Sequence, residues 1–171
     1  REKGKKEVAI VGDPQTGTAN SLLMACAKVG MSVRIVCPRG YGPRQDYLEE
    51  AQKGSGKKQE VHVIHDVDEG VRDVDVIYIS SWKPGAGNGA GEEEAEERAK
   101  AFLPFQVNAG VVAKAKKDCI VMHPLPARRG VEVTGEVLDG RHSAVWEQAA
   151  NRLHVQKAIL VHLLGRGWKG K

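Results

Sequence analysis

Residues 122–129 read Met-His-Pro-Leu-Pro-Ala-Arg-Arg and directly follow an apolar run at 119–121. A short apolar run of this kind predicts a buried strand, so we expect His123 at the end of a strand. Pro124 and Pro126 fix the backbone φ angle and stiffen the turn that follows. Because ligands of open α/β sheets bind at the carboxyl ends of the strands, we expect a binding site at this turn.

On both sides of this stretch, apolar runs alternate with helical patterns along the chain. Further strands are predicted at residues 7–12, 32–37, 61–64 and 74–79. Helices are predicted at residues 19–30, 46–53, 66–72, 92–102, 105–116 and 143–164. Such alternation is typical of a parallel sheet covered by helices. The expected fold class is therefore α/β, a three-layer, Rossmann-like, doubly wound parallel sheet with helices on both faces, in one domain over residues 1–171.

The turn after the first strand, residues 12–17, invites comparison with nucleotide-binding loops. A dinucleotide fingerprint requires glycine where Pro14 stands and an acidic residue near Cys37, at the end of the second strand. A P-loop requires lysine where Thr18 stands. Neither loop is expected. At the start of the next helix, Asn20-Ser21 either binds a polar or anionic group through free helix-end amides or caps the helix in the ordinary way.

Two stretches extend beyond what the sheet requires. Residues 83–91 are rich in Gly and Pro and form either a plain connector or a lid over the edge of the sheet. The final helix carries a broad apolar arc made of Trp146, Leu153, Val155, Ile159, Leu160, Leu163 and Leu164. Such an arc indicates contact with another domain or chain, or else a deep core position.

Composition and charge exclude several classes of protein. The net charge of +4 suits anionic small molecules, and an aromatic content of 5% does not favour nucleic-acid binding. No apolar run approaches the roughly 18 residues of a membrane span, and no charged-then-apolar leader opens the sequence. The three cysteines (Cys26, Cys37 and Cys119) lie in apolar runs and predict buried thiols in a reducing compartment. We expect a cytoplasmic protein with no membrane or nucleic-acid partner. The histidines have no metal-ligand spacing, so no metal is expected.

The segment after His123 carries a family resemblance. His-Pro-Leu-Pro at 123–126 is followed by Ala150-Asn151-Arg152, and the pair resembles the H-[CP]-L-P and [EA]-N-R motifs of the carboxy-terminal half of the carbamoyltransferases. Gly30-Met31, Cys37-Pro38 and Ser81-Trp82 also fit the family. The resemblance therefore covers nearly the whole chain.

Within this family the sequence resembles the ornithine and N-acetylornithine enzymes. Ser81-Trp82, residues 126–129 and residues 151–158 look like the N-acetylornithine branch. Residues 80–85 lack the acidic residue and the Ser-Met pair of the ornithine branch's D-x-W-x-S-M-G motif. Pro124 stands where both branches have cysteine, and Glu132 stands where the N-acetylornithine branch has lysine. The acceptor thus stays open between ornithine and N-acetylornithine.

The resemblance implies transfer of a carbamoyl group from carbamoyl phosphate to the side-chain amine of an ornithine-type amino acid, in arginine biosynthesis, without a cofactor. It implies that His123 donates to the carbamoyl oxygen, where negative charge develops, and can transfer a proton. Arg152 is the implied ligand of the carbamoyl phosphate oxygens. The backbone carbonyls of Pro124 and Leu125 would hold the carbamoyl amide and the attacking amine, and Arg128 would meet the carboxylate or acyl group of the acceptor.

Three further residues are candidate substrate contacts. Asn20 stands at the start of the helix after the first predicted strand, and Ser81, at the end of the fourth, belongs to a pair that fits the family. Trp82 either covers the substrate together with the glycine-rich loop after it or is a core tryptophan.

The resemblance also implies a missing part. The family binds carbamoyl phosphate mainly on an amino-terminal domain through an S-x-R-T-R loop, and that motif does not occur in residues 1–171. We therefore expect an amino-acid-binding half that is inactive alone, works with an amino-terminal carbamoyl-phosphate domain and belongs to a homotrimer in the full enzyme. The alternative is a non-catalytic α/β small-molecule-binding or regulatory module derived from the family, which the loss of the acidic residue at Ser80 favours.

Overall fold

Five parallel strands form one sheet in the computed structural model, which describes residues 6–54, 60–82 and 92–165. The strands are β1 (Glu7–Gly12), β2 (Ser32–Val36), β3 (Val61–Ile64), β4 (Val76–Ser80) and β5 (Ile120–Met122). Their order across the sheet is β3-β2-β1-β4-β5. The chain winds outward from β1 to β3 and then returns to place β4 on the other side of β1, so the predicted doubly wound parallel sheet is confirmed. The crevice between β1 and β4 is the switch point at which such sheets bind ligands.

Helices cover both faces of the sheet. They are α1 (Gly17–Val29), α2 (Gln45–Gly54), α3 (Val67–Gly70), α4 (Glu92–Phe102), α5 (Ala109–Val112), α6 (Gly135–Leu138) and α7 (Val145–Leu164). Successive residues of β1 point to opposite faces. Val8 and Ile10 pack against the buried side of α1, whereas Ala9 and Val11 share a core with residues of α5 and α6. These two cores account for the predicted three layers.

Helix α1 begins two residues earlier than predicted. The Thr16 side chain accepts a hydrogen bond from the Ala19 N–H and caps the helix, and Gly30, at φ +81°, closes it. The backbone N–H of Asn20 donates to the Thr16 carbonyl oxygen over 3.0 Å. Both alternatives for Asn20-Ser21, a free helix-end amide and a cap, are therefore wrong for Asn20.

The helix predicted at 105–116 is largely wrong. Residues Leu103–Phe105 form a 3₁₀ turn, and the Asn108 side chain starts a new short helix, α5, by accepting from the Val111 N–H. The chain then leaves the helix, because the Lys116 N–H donates to the Val74 carbonyl oxygen. The short helix α6 has no counterpart among the predicted elements.

Helix α7 leaves the body of the protein after its first turn. Val145 is buried, but the side chains of Trp146, Leu153, Val155, Ile159, Leu160, Val161, Leu163 and Leu164 are each at least 50% exposed. The deep core position is therefore wrong, and the apolar arc is a surface. Among the described residues, no helix combines the length and apolarity required to cross a bilayer.

The cysteine thiols are buried, as predicted. Burial raises the pKa of Cys26, Cys37 and Cys119 to about 11 in each case. At neutral pH these side chains are protonated thiols that pack as small apolar groups.

At the amino-terminal ends of the strands, one carboxylate accepts several hydrogen bonds. Asp75 accepts from Lys6 Nζ at 2.8 Å, from Lys116 Nζ at 2.9 Å and from the Glu7 N–H at 3.0 Å. Burial alone would raise the pKa of this carboxyl, but these hydrogen bonds outweigh it and lower the pKa to about 2. The cluster lies at the end of the sheet opposite to His123.

Candidate functional site

The carboxyl ends of β1 and β4 are joined by a compact hydrogen-bonded unit. Ser80 Oγ donates to the Asp13 carbonyl oxygen at 2.6 Å and lies 2.9 Å from Thr16 Oγ1. Gly12, at φ +114°, lets the strands approach, since an added Cβ would lie 2.1 Å from the Ser80 carbonyl oxygen. The end of β4, the turn after β1 and the cap of α1 are thus held as one unit.

The imidazole of His123, at the end of β5, is completely buried. Its Nδ1 accepts from the Leu125 N–H at 2.8 Å. A neutral ring that accepts at Nδ1 carries its proton on Nε2, and Nε2 lies 3.3 Å from Glu132 Oε1 and 3.3 Å from Ser81 Oγ. Both ring nitrogens are therefore engaged within the protein, and neither is directed at an open cavity.

Glu132 is a site residue that the motif at 122–129 does not reveal. Its side chain is 1% exposed, and Oε1 also accepts from the Arg128 N–H at 2.7 Å. Burial raises the pKa of Glu132, but hydrogen bonds from His123 and from the Arg128 N–H outweigh it, so the pKa lies below its usual value. Oε2 has no hydrogen-bond partner within the described part of the chain. Glu132 is therefore a buried carboxylate that receives donors from both ends of the His-Pro-Leu-Pro turn.

The turn itself has an unusual backbone. Leu125 has φ +56°, and the Leu125–Pro126 peptide bond is cis. A branched residue in the left-handed region costs about 1–3 kcal/mol and persists only where its surroundings impose it. The hydrogen bond from the Leu125 N–H to His123 and that from the Arg128 N–H to Glu132 supply this constraint. His123 and Glu132 together thus fix the shape of the turn.

Helix α7 is joined to the same turn by Gln148. The His123 N–H donates to Gln148 Oε1 at 3.0 Å, and the Gln148 side chain also hydrogen bonds to Tyr78. Arg152 follows Gln148 by four residues, so it lies on the same helix face, about 6 Å further along the axis. Its side chain is exposed. Arg152 therefore follows, by about one helical turn, the residue of α7 that contacts the His123 backbone.

A cavity of about 210 Å³ opens at these strand ends. Its lining residues come from the start of α1, the end of β4 and the turn after β5, and they are Thr16, Thr18, Ser80, Ser81, Pro124, Leu125, Pro126 and Arg128. Four of the predicted substrate-binding residues are among them: Ser81, Pro124, Leu125 and Arg128. Arg128 is the one ionisable residue in this lining. The cavity can thus take a small molecule that carries a negative charge.

The remaining predicted contacts lie around the cavity rather than in its wall. Asn20 is buried one turn into α1, and its Oδ1 accepts no hydrogen bond within the residues that the structure describes. Trp82 is 2% exposed and stacks on Phe102 with ring centroids 5.7 Å apart, which corresponds to the core-tryptophan alternative. The predicted lid at 83–91 lies outside the described residues.

Helix α4 is anchored to the site by Arg98. Its Nη2 donates to Asp13 Oδ2 at 2.6 Å, and its guanidinium lies over the rings of Tyr41 and Phe102. Side chains of the pair are 25% and 15% exposed, so the ion pair is only partly screened by water. This contact fixes the carboxylate of Asp13 and holds α4 against the turn after β1.

A larger cavity, of about 290 Å³, lies elsewhere on the molecule, between α5 and α6. Glu136, Arg141 and His142 are the polar residues of its lining, and it contains none of the predicted site residues. In the described ranges, no three His, Cys, Asp or Glu side chains are grouped as a metal site would require.

Comparison with known families identifies the fold. Residues 4–163 match the family model described as the Asp/Orn binding domain of aspartate/ornithine carbamoyltransferase. Among curated proteins, the ornithine carbamoyltransferase of Synechococcus elongatus is 47% identical over 147 residues, which cover 86% of this chain and 47% of that protein. The ornithine carbamoyltransferase of Pyrococcus abyssi is 45% identical over 164 residues, covering 95% of this chain and 50% of the relative.

Solved structures give the same result. The ornithine carbamoyltransferase of Pyrococcus furiosus superimposes with a TM-score of 0.83 at 43% identity, covering 92% of this chain and 49% of that one. An acetylornithine transcarbamylase complexed with acetylcitrulline superimposes with a TM-score of 0.81 at 32% identity, covering 96% and 51%. The chain thus spans about half the length of the relatives that it matches.

Proposed function

The chain belongs to the aspartate/ornithine carbamoyltransferase family as its Asp/Orn-binding domain, and from this we propose that it is the amino-acid-binding half of an ornithine-type carbamoyltransferase. In this function a carbamoyl group passes from carbamoyl phosphate to the side-chain amine of ornithine or N-acetylornithine, in arginine biosynthesis. The observation that carries the proposal is the cavity at the ends of β1, β4 and β5, where Arg128 and the backbone of Pro124 and Leu125 meet.

The reaction requires a fixed positive charge and fixed hydrogen-bond acceptors in the site. A neutral amine attacks the carbonyl carbon of carbamoyl phosphate, negative charge gathers on the carbonyl oxygen, and phosphate leaves, taking up the proton that the amine loses. Carbonyl oxygens of Pro124 and Leu125 accept hydrogen bonds from the attacking amine and from the carbamoyl amide. Arg152, exposed on α7, binds the phosphate oxygens through its planar fork of donors.

His123 acts in this proposal through the turn that it holds. Both of its ring nitrogens have partners inside the protein, which favours a positioning role over direct donation to the carbamoyl oxygen. With Glu132 it sets the backbone of Leu125 and Arg128, and so aims the carbonyls and the guanidinium that meet the acceptor.

The other half of the active site is proposed to come from an amino-terminal carbamoyl-phosphate-binding domain. Two observations support this partner: the chain spans about half the length of its relatives, and α7 presents an exposed apolar arc. Monomeric proteins rarely expose a continuous apolar surface, and contact with the amino-terminal domain would bury this one. The complete enzyme is proposed to be a cytoplasmic homotrimer.

A non-catalytic small-molecule-binding or regulatory module is the second candidate. The residue at position 80, acidic in the ornithine motif, is here a serine whose hydroxyl is used within the protein, on Asp13 and Thr16. A module of this kind would bind an amino acid in the cavity and transfer nothing.

A chimera tests the proposal. The amino-terminal half of the Synechococcus elongatus relative is joined to this chain, and carbamoylated product is measured from carbamoyl phosphate with ornithine or N-acetylornithine. We expect turnover by the chimera, none by the chain alone, and a loss of roughly 100-fold for the chimera with Arg152→Gln. Arg141→Gln, an exposed arginine at the larger cavity, is the matched control and should leave the rate unchanged.

Two results would contradict the catalytic assignment. Product formed by the chain alone would show that no second half is required. A chimera that folds and binds the acceptor but makes no product would favour the non-catalytic module.

A further inference from the structure

We propose that the larger cavity, between α5 and α6, is a second binding site, and that its ligand is a free α-amino acid with an aliphatic side chain. The cavity measures about 290 Å³ and contains none of the residues assigned above to carbamoyl transfer. Ligand pockets in proteins usually measure about 300–1,000 Å³, so a cavity at the lower end of this range suits a ligand of amino-acid size. The inference does not depend on the proposed function.

Part of the lining is apolar and comes from two helices. Val112 and Val137 are each 6% exposed, and Ala109 and Ala113 line the cavity beside them. The two alanines are four residues apart, so they lie on one face of α5 and leave space in front of the valines. An aliphatic side chain is the part of a ligand that this surface binds, because contact removes apolar area from water.

Two exposed side chains of opposite charge complete the lining. Glu136 lies on α6 and Arg141 follows it by five residues. Within the described ranges, neither side chain forms an ion pair. Glu136 would repel a dianion, and Arg141 would repel a diamine. A zwitterion satisfies both groups, since its carboxylate matches the guanidinium fork and its ammonium meets the carboxylate of Glu136.

His142 adds a hydrogen-bond acceptor to the same lining. Its Nδ1 lies 2.8 Å from the Cys119 carbonyl oxygen, and because a carbonyl oxygen can only accept, Nδ1 carries a proton. In the neutral ring, Nε2 is then an acceptor, and it has no hydrogen-bond partner in the described part of the chain. An ammonium group has three donors, so the α-ammonium of a ligand can be shared between Glu136 and His142.

Ornithine is not the expected ligand of this cavity. Its second ammonium group would lie against Val112 and Val137, where burial of a charge without a partner is costly. N-acetylornithine lacks the α-ammonium that Glu136 would bind. Arg141→Gln is therefore still a suitable control for the transfer assay, in which one of these two compounds is the amino acid supplied.

The lining continues into the segment that pairs with β5. The Val121 N–H donates to the His142 carbonyl oxygen at 2.7 Å, and the Ala144 N–H donates to the Val121 carbonyl oxygen at 2.8 Å. Strand β5 leads directly into the His-Pro-Leu-Pro turn, and α7 follows the paired segment. A ligand in the larger cavity should therefore also shift the amide resonances of Val121 and Ala144.

The test is a ¹⁵N–¹H NMR titration of the chain with three matched compounds. L-leucine carries both charges, 4-methylpentanoate lacks the ammonium group, and 3-methylbutylamine lacks the carboxylate. We expect L-leucine to give saturable shifts at Val112, Glu136 and His142 and to bind at least about tenfold more tightly than either partial compound. N-acetyl-L-norvaline, an analogue of N-acetylornithine without the reacting amine, also lacks an ammonium group and should not displace L-leucine.

Substitutions identify the cavity that L-leucine occupies. Arg141→Gln and Glu136→Gln should each weaken L-leucine binding at least about fivefold. Both side chains are exposed, so these variants should keep the fold, which circular dichroism checks. Arg128→Gln is the matched control at the other cavity and should leave L-leucine binding unchanged.

Three results would overturn the second site. They are equal binding of the three compounds, saturable L-leucine shifts confined to Thr18, Ser81 and Leu125 at the strand ends, and no saturable shift up to about 10 mM L-leucine. Each of them leaves the proposed function intact, because the chimera tests that function separately.

Discussion

Truncation of Glu132 tests whether a buried carboxylate holds the His-Pro-Leu-Pro turn. Glu132→Ala removes the oxygen that accepts from His123 Nε2 and from the Arg128 N–H. Each buried donor left without a partner costs about 1–3 kcal/mol, and the space left by a side chain that is 1% exposed adds to this. Relief of the desolvation of the carboxylate offsets part of the loss. We expect the free energy of unfolding to fall by about 3 kcal/mol.

Glu132→Gln separates charge from shape. The amide keeps one acceptor oxygen for both donors, but it places an NH₂ group where Oε2 has no partner within the described residues. We expect a smaller loss, of about 1–2 kcal/mol at neutral pH. Because the pKa of Glu132 lies below its usual value, the carboxylate stabilises the fold above that value and loses this effect as the pH falls through the folded pKa. The difference between Glu132 and Gln should therefore shrink in acid.

Guanidinium chloride unfolding followed by far-ultraviolet circular dichroism measures both variants. Glu50→Ala, at an exposed position on α2, is the control and should stay within about 0.5 kcal/mol of the unaltered chain. If Glu132→Ala matches this control, Glu132 does not support the turn, and the positioning role given to His123 loses its basis.

Three further substitutions test other contacts. Asp75→Asn should lower the free energy of unfolding by about 2 kcal/mol at neutral pH, and this loss should fade as the pH drops from about 4 toward the folded pKa of about 2. Urea unfolding measures the loss, and the same loss at every pH would contradict this prediction. Arg98→Met keeps most of the bulk but loses the ion pair with Asp13 and the stacking on the two rings. We expect the free energy of unfolding to fall by about 1–2 kcal/mol, seen as a fall in Tm of roughly 3–6 °C in a calorimetric scan. An unchanged Tm would show that the pair does not stabilise the fold. Thr16→Ala loses the cap of α1 and the contact with Ser80, for about 1–2 kcal/mol in denaturant unfolding, whereas Thr16→Ser keeps both; equal losses in the two variants would argue against the cap.

The sheet could be predicted from the sequence because its signals are local. The bounds of β1 and β3 agree with the predicted runs, since each is a short, mostly apolar segment that ends at turn chemistry. The helix predicted at 105–116 is largely wrong because side-chain caps and long-range hydrogen bonds divide this segment. Asn108 starts a new helix and the Lys116 N–H pairs with Val74, neither of which the apolar periodicity indicates.

The site could be predicted only in part. Pro124, Leu125 and Arg128 follow one strand directly, so their place at the cavity follows from topology. The resemblance marks the position of Glu132, but neither it nor any sequence pattern shows that Glu132 and Gln148 hydrogen bond to His123. The partners of His123, which decide whether it donates or positions, therefore required the tertiary structure.

The decisive measurement is a ¹⁵N–¹H NMR titration of the chain with N-acetyl-L-norvaline. Binding in the cavity at the strand ends predicts saturable shifts of the amides of Thr18, Ser81, Leu125 and Arg128, which line it. Saturable shifts confined to Val112, Glu136 and His142, at the larger cavity, or no saturable shift at all, would contradict an acceptor site at the His-Pro-Leu-Pro turn.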